Sequence, residues 1–195
     1  DPRATDWVRS ADDSARHLQR LVDDIVDLSQ LEAGTLALAR APVSLDALAH
    51  EVHALLQPMA LAKGLGLHLD LQPGLPAPVM LDATRVRQVL FNLLANAIKF
   101  SEAGQVVLRC RVVTALLPGA TDPVGAGGPA LLFEVADAGI GMDRDTLARL
   151  FRRYSRADDP RARRQGGSGL GLAISRQLAL LMGGDLVVDS TPGSG

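Results

Sequence analysis

The sequence contains a single cysteine, Cys110, and this scarcity limits the kinds of protein it can encode. One cysteine cannot form a disulfide framework or a cysteine metal cluster, so the chain suits a reducing compartment. We interpret Cys110 as a small apolar filler in a strand. No run reaches the ~18 apolar residues of a membrane span, and a signal-peptide pattern is absent. The sequence therefore predicts a soluble, cytoplasmic chain, with any membrane anchor in other parts of a longer parent protein.

An excess of positive charge is also missing. The 20 Lys and Arg residues are balanced by 22 Asp and Glu residues, which gives a net charge of -2. A protein whose main partner is nucleic acid needs a basic surface, so that class is excluded. The motif G-x-x-x-x-G-K-[ST] is absent as well, which excludes a P-loop. What is present is 47% hydrophobic residues, enough for one domain with an appendage.

The segment from Asp82 to Ser101 predicts the amphipathic helix around which the rest of the chain is organised. Its polar stripe lies within an arc of roughly 80° and consists of Arg85, Gln88, Asn92, Asn96 and Lys99. Carboxamide oxygens can bind a hard cation such as magnesium, and an ammonium group can bind phosphate. A solvated helix face with locally bonded asparagines is the alternative that these residues leave open.

Residues 5–33 carry an apolar seam with alternating spacings of four and three. It consists of Trp7, Ala11, Ser14, Leu18, Leu21, Ile25 and Leu28. A long helix with one apolar stripe needs a partner helix, so the seam predicts a homodimer through a helical bundle. Gly34 is predicted to end this helix, and residues 35–43, which include Pro42, to form a linker.

Residues 44–195 predict a domain that mixes helices and strands. Ser44 is expected to cap a helix that ends near Lys63 and contains Pro58. Strand patterns occur at 67–71, 79–82, 105–113, 131–137 and 186–188, and further helices at 82–101 and 143–150. Residues 166–172 open another apolar helix, which Gly183 and Gly184 close. Residues 116–130 are rich in Gly, Ala and Pro and predict a connection without further function. The ending on Gly-Ser-Gly suggests that a closing strand is missing.

Two glycine motifs lie beyond the central helix. Asp137 ends a strand before A-G-I-G-M, where its carboxylate is placed to accept a hydrogen bond from an exocyclic amine; an Asx turn is the alternative. Residues 166–171 open a helix, where free N–H groups and the helix dipole favour an anion. Glycine permits the close approach that such an anion needs, although many glycine-rich turns are only turns.

In this order, the motifs are strongly similar to those of the ATP-binding domain of sensor histidine kinases, a Bergerat-fold (GHKL) family. The central helix resembles the asparagine box, DAGIG the first glycine box, Phe151 the phenylalanine box and GGSGLGLAIS the second glycine box. Upstream, LVDDIVDLSQLEAG resembles the second helix of the dimerisation and phosphotransfer domain. The resemblance implies an α/β fold: a two-layer α/β sandwich over 44–195, preceded at 1–34 by a long helix of a dimeric four-helix bundle.

The resemblance also implies roles for single residues. Asn96 coordinates Mg²⁺ with Asn92 near the metal, Lys99 lies near the phosphates, and Asn92 and Lys99 are the candidate catalytic residues. Asp137 holds the adenine amino group. The other candidate ATP contacts are Phe100, Gly139, Ile140, Gly141, Met142, Phe151, Arg164, Gly167, Ser168, Gly169, Leu170, Gly171 and Leu172. Residues 151–165 correspond to a mobile ATP lid, in which Arg161, Arg163 or Arg164 reaches the γ-phosphate; a solvated basic loop is the alternative.

The implied activity is transfer of the γ-phosphoryl group of Mg-ATP to a histidine, followed by relay to an aspartate of a response regulator. In ATP-hydrolysing and serine-kinase relatives, a glutamate stands four residues before the magnesium asparagine; here Asn92 cannot act as a base. A neutral histidine acceptor needs none.

Other departures from the family pattern bear on the acceptor and the lid. None of the four histidines has the H-E-x-R-x-P context of the acceptor, which we therefore expect outside this chain. Arg153 and Tyr154 depart from the phenylalanine-box pattern, which bears on how the lid docks. The rival interpretations are an ATPase or serine kinase of the same fold, and a non-catalytic dimerisation module with a degenerate nucleotide pocket.

Overall fold

The computed structural model describes residues 2–114, 128–152 and 169–195. The chain divides into two compact units, residues 1–37 and 38–195. The first unit is built on one long helix, α1 (Pro2–Glu32), and Gly34 follows it with a φ of 64°, as expected of a residue that ends a helix. Nowhere in the described ranges does a helix have the length and hydropathy needed to cross a membrane.

The second unit contains five strands and four helices within the described residues. In chain order they are β1 (Ala41–Val43), α2 (Leu45–Ala62), β2 (Gly66–Leu71), β3 (Val79–Leu81), α3 (Ala83–Phe100), β4 (Gln105–Val113), β5 (Ala130–Ala136), α4 (Arg144–Arg149) and α5 (Gly171–Leu181). Ser44 caps α2 through its side chain, which accepts a hydrogen bond from the amide of Ala47. Apart from β1, these elements match the predicted segments within one or two residues.

The strands form two sheets. The larger has the order β2, β4, β5: β2 runs parallel to β4, and β4 runs antiparallel to β5. The smaller sheet pairs β1 with β3 antiparallel, so that Pro42 lies opposite Met80. Residues 41–43, for which the sequence predicts a linker, are therefore part of a sheet. Three residues that include a proline are too short for an alternating pattern, so the sequence did not reveal this strand.

Helices α2 and α3 cover one face of the larger sheet and enclose the core of the unit. The apolar side of α3 is buried, with Leu90, Leu94 and Ile98 almost completely enclosed against side chains of α2 and β4. Each such leucine or isoleucine contributes about 1.5–3 kcal/mol by burial. The opposite face of the sheet carries charged pairs such as Arg109 with Glu134. This arrangement confirms the predicted two-layer α/β fold.

Cys110 and residues 186–188 are the two places where the sequence made a specific prediction about a strand. Cys110 lies buried in β4, where burial raises the pKa of its thiol to about 11, so its interpretation as a filler is confirmed. The prediction of a strand at residues 186–188 was wrong, because the backbone of residues 184–190 is irregular. A strand requires backbone partners from a neighbouring strand. The Leu186 amide instead donates to the carboxylate of Asp185 at 2.8 Å.

Candidate functional site

Helix α3 is held at both ends, and this fixes the residues of its polar stripe. At the amino end, Asp82 accepts hydrogen bonds from the amides of Arg85 at 3.0 Å and Ala39 at 2.9 Å. At the carboxyl end, the ammonium of Lys63 donates to the carbonyl oxygens of Ile98, at 2.8 Å, and Lys99. A cation at this end also interacts favourably with the helix dipole.

Asn92 forms the contact between α3 and the amino end of α5. Its Nδ2 atom donates to the Ser175 hydroxyl at 2.9 Å, and Ser175 is buried. A Cβ atom on Gly171 would lie 2.6 Å from Oδ1 and 2.7 Å from Nδ2 of Asn92. The carboxamide therefore occupies the space that a side chain at position 171 would need. Asn92 is half-buried and bonded across the two helices, so it does not belong to a solvated helix face.

Asn96 lies one turn after Asn92 on α3 and one turn before Phe100. Its side chain is half-buried, and no hydrogen bond joins it to any residue in the described ranges. The neighbouring Lys99 places its ammonium 4.9 Å from the centre of the Phe100 ring, within cation–π range. The Asn96 carboxamide can therefore bind a ligand without breaking a hydrogen bond to any described residue.

The first glycine motif packs against the carboxyl end of α3. The Gly139 amide donates to Asp137 Oδ1 at 2.8 Å, so Asp137 forms an Asx-type turn. The Ile140 amide donates to the carbonyl of Phe100 at 3.3 Å, and a Cβ atom on Gly139 would lie 2.9 Å from that oxygen. Within the described ranges, no hydrogen bond reaches the second carboxylate oxygen of Asp137.

Residues 190–195 support the same loop from its other side. The Gly193 amide donates to the carbonyl of Ile140 at 2.7 Å, and the Met142 amide donates to the hydroxyl of Ser190 at 2.9 Å. Gly141 has a φ of 64°, and a Cβ atom there would overlap the carbonyl group of Thr191. Only glycine fits this position, because both the backbone conformation and the close contact exclude a side chain.

Phe151 is attached to α5 through Arg176. The guanidinium carbon of Arg176 lies 5.0 Å from the centre of the Phe151 ring. The same guanidinium pairs with Asp185 at 3.0 Å, and that carboxylate is 1% exposed. A buried carboxylate needs such a partner. Arg176 thus joins Phe151, two residues after α4, to Asp185, which lies beyond the end of α5.

The structure brings most of the described candidate residues to the carboxyl half of α3, between Asn92 and Phe100. Asp137, Gly139, Ile140, Gly141 and Met142 lie at its carboxyl end. Gly169 and Leu170 precede α5, whose first residues are Gly171 and Leu172. Leu170 holds the N-cap position of α5, and its apolar side chain makes no capping hydrogen bond. Arg161, Arg163, Arg164, Gly167 and Ser168, together with Arg153 and Tyr154, lie outside the described residues.

Sequence reasoning missed three residues that position the site: Lys63, Ser175 and Arg176. A signal was present for two of them. Ser175 is a hydroxyl on the buried side of an otherwise apolar helix, and Lys63 is one of only two lysines in the chain. For Arg176 there was no local signal, because its partner Asp185 lies nine residues away, beyond the end of α5.

A metal at this site would have to use carboxamide and ligand oxygens. Among the described residues, no three His, Cys, Asp or Glu side chains are grouped so that they could hold an ion. Asn96 offers one hard oxygen donor, and this fits Mg²⁺, which commonly keeps water and phosphate oxygens as its other ligands. Tight binding of a free metal ion without a phosphate ligand is not expected from this set.

Comparison with known proteins places these motifs in a family. Residues 81–195 match the family described as "Histidine kinase-, DNA gyrase B-, and HSP90-like ATPase". The circadian input-output histidine kinase CikA of Synechococcus elongatus is 40% identical over 99% of this chain and 24% of its own length. The aerobic respiration control sensor protein ArcB of Escherichia coli is 37% identical over 93% of this chain and 22% of its own length.

Solved structures agree with the sequence comparison. Full-length ShkA in complex with AMPPNP superposes with a TM-score of 0.75 and 34% identity, over 93% of this chain and 35% of ShkA. The histidine kinase AdeS of Acinetobacter baumannii, with a TM-score of 0.68 and 22% identity over 92% of this chain and 75% of AdeS, shares the fold. The chain spans about a quarter of the length of CikA and ArcB. Because the family match covers more than half of it, the chain belongs to the histidine kinase-, DNA gyrase B- and HSP90-like ATPase family, and its similarity is to sensor histidine kinases.

Proposed function

We propose that this chain is the ATP-binding catalytic part of a sensor histidine kinase. It binds Mg-ATP and presents the γ-phosphoryl group to a histidine that none of its own four histidines supplies. The phosphoryl group then passes to an aspartate of a response regulator receiver domain. Family membership supports this proposal together with the site geometry.

The observation that carries the proposal is that one helix joins both glycine motifs. Asn92 contacts Gly171 at the start of α5, and the Phe100 carbonyl accepts the Ile140 amide. Asn96 lies midway between these contacts, about 6 Å along the helix axis from each. We call residues 137–142 the Asp137 loop. A ligand that reaches from this loop to the amino end of α5 passes Asn96, and an adenine nucleotide with a chain of phosphates is such a ligand.

Each group then has a role in binding. The second oxygen of Asp137 accepts a hydrogen bond from the exocyclic amine of adenine, while the Gly139 amide holds the carboxylate in place. The N–H groups in the first turn of α5 bind phosphate oxygens, and Lys99, one turn beyond Asn96 on α3, adds positive charge to the site. The oxygen of Asn96 is a ligand for magnesium, which when bound neutralises charge on the phosphates. Positioning and charge neutralisation are the main requirements of phosphoryl transfer.

The nature of the acceptor follows from Asn92. A carboxamide cannot remove a proton, and here its Nδ2 atom already donates to Ser175. Water and serine need a base at this point, whereas a neutral histidine is nucleophilic without one. The site is therefore suited to a histidine acceptor rather than to ATP hydrolysis.

Calorimetric titration with ATP, with and without Mg²⁺, tests the binding step. We compare the wild type with Asp137→Asn, and with Asp189→Asn as a control in which an exposed carboxylate changes. We expect magnesium-dependent binding by the wild type and the control, and at least tenfold weaker binding by Asp137→Asn, about 1.4 kcal/mol or more. A folded wild type that binds no ATP would refute the proposal and favour a dimerisation module with a degenerate pocket.

A second assay tests the reaction. The isolated chain should release no ADP on standing with Mg-ATP, and should label a separately supplied acceptor-helix segment on histidine. Steady ADP release without an acceptor would favour the ATPase interpretation instead. Labelling that resists acid would indicate a serine or threonine acceptor and would also count against the proposal.

A further inference from the structure

Ser175 is a buried polar group in a helix whose other buried residues are apolar. Its exposure is 2%, and its neighbours on the enclosed side of α5 are Ala173, Ile174 and Leu178. A buried hydroxyl is costly unless it is hydrogen-bonded. Its partner is the Nδ2 atom of Asn92, 2.9 Å away on α3. This pair is therefore a specific link between the two helices and not a by-product of packing.

Gly171 completes the link one helical turn earlier. Residues four apart lie on the same side of a helix, so Gly171 and Ser175 both face α3. The three atoms nearest to a Cβ built on Gly171 all belong to the Asn92 carboxamide, at 2.6, 2.7 and 3.0 Å. The φ of Gly171 lies outside the left-handed region, so the backbone does not require glycine there. A side chain at position 171 would have to displace the Asn92 carboxamide, which the Ser175 hydroxyl holds.

We infer that Ser175 is a positioning residue for the phosphate end of the nucleotide site. Its hydroxyl holds the Asn92 carboxamide flat against Gly171, and this contact sets the separation between α3 and the amino end of α5. Phosphate-binding N–H groups of α5 and the Asn96 oxygen of α3 are thereby presented at a fixed distance. The inference rests on the proposed function, because it assigns Ser175 a part in binding Mg-ATP.

The location of this link predicts a selective effect on ligands. The Asp137 loop is attached to α3 at Phe100, eight residues beyond Asn92, where the Ile140 amide donates to the Phe100 carbonyl and Ser175 takes no part. Loss of the Ser175 hydroxyl should therefore weaken contacts to the phosphates and leave contacts to the base. A residue that only stabilised the fold would weaken both to the same extent.

The experiment compares affinities for Mg-ATP and adenosine in the wild type, Ser175→Ala and Ile174→Val. The last variant is the matched control, because it removes a buried methyl group from the adjacent position without touching a hydrogen bond. We expect Ser175→Ala to bind Mg-ATP about tenfold more weakly, ~1.4 kcal/mol. Its affinity for adenosine should stay within about twofold of the wild type, and Ile174→Val should bind both ligands normally. Unchanged Mg-ATP affinity in a folded Ser175→Ala, or equal losses for both ligands, would overturn the inference.

A second measurement tests the contact without any nucleotide. In the wild-type background, Gly171→Ala should lower the urea midpoint of unfolding, since the new Cβ meets the carboxamide. In an Asn92→Ala background, the same change should be neutral or stabilising, because alanine is a better helix former than glycine. Additive effects would overturn the role of Asn92 at Gly171. If the wild type bound no Mg-ATP, the proposed function would fall, while this cycle would still decide whether the helices are linked as described.

Discussion

Single residues in the first glycine motif are constrained by backbone contacts from residues 190–195. Gly141 shows this most clearly. Its φ of 64° is left-handed, and the carbonyl oxygen of Thr191 lies where a Cβ atom would be. Gly139 is restricted differently, because the obstacles are the Asp137 carboxylate and the Phe100 carbonyl. The two glycines of G-I-G therefore hold the Asp137 loop between α3 and the end of the chain, independently of any ligand.

Gly141→Ala should be much more destabilising than an alanine at an unobstructed left-handed glycine. Gly74 is the matched control, with a φ of 76° and, beyond its two chain neighbours, no atom of the described residues within 4 Å of the position that a Cβ would take. We expect Gly74→Ala to cost about 1 kcal/mol for the backbone conformation alone, and Gly141→Ala about 3 kcal/mol because the Thr191 segment must also move. Urea unfolding of the two variants measures the difference. Equal costs would show that the contact with Thr191 is not formed in solution.

At the scale of elements, α3 holds the site together. Its apolar side forms much of the core, and its polar side carries Asn92 and Asn96. Because one helix serves both purposes, the positions of the groups that we propose to face the ligand are tied to the packing of the domain. Lys63 is part of this arrangement, since its ammonium binds the last carbonyl groups of α3, next to Lys99 and Phe100.

Lys63→Met should loosen the carboxyl end of α3. The variant keeps most of the side-chain length but removes the charged donor and its interaction with the helix dipole, for an expected loss of about 1–2 kcal/mol. Lys63→Arg keeps the charge and serves as the control, with an expected loss below about 0.5 kcal/mol. Thermal and urea unfolding provide the measurement. Identical stability of the methionine variant and the wild type would contradict a capping role.

At the scale of the whole molecule, the two compact units carry different properties. The described groups of the nucleotide site and the apolar core cluster all belong to residues 38–195. The first unit carries an apolar seam on α1, where Trp7, Leu18 and Ile25 are more than half exposed. An apolar stripe of this kind is expected to pair with another helix. We therefore propose that α1 mediates a homodimer and that residues 38–195 bind nucleotide.

Separating the units tests this division. A fragment of residues 38–195 should be monomeric in light scattering and should bind Mg-ATP as the longer chain does. The 195-residue chain should be dimeric, and Leu18→Glu with Ile25→Glu should make it monomeric by placing charges in the seam. The control is Asp23→Glu, which changes an exposed position away from the seam. A strictly monomeric wild type at high concentration, or a dimeric 38–195 fragment, would refute the proposed interface.

The sequence by itself determined the elements and the family. The amphipathic period of α3, the alternation in β2 and the length of β4 were visible because they depend on residues near one another in the chain. The ordered motifs around Asn96, Asp137 and Gly171 identified the family, which the comparisons confirmed. The roles of single residues in binding magnesium and ATP stay predictions until the titrations are made.

Only the tertiary structure decided which groups meet across the chain. The hydrogen bond of Asn92 with Ser175 spans 83 residues, and the contact of Lys63 with Ile98 spans 35. No local pattern encodes such pairs, because their partners depend on how α3 packs against α2 and α5. The same reason explains the two wrong predictions. β1 exists because β3 lies beside it, and residues 186–188 pair with no strand among the described residues, although their apolar sequence suggested one. Local periodicity fixes secondary structure, whereas packing between distant segments selects the bonds that hold the site.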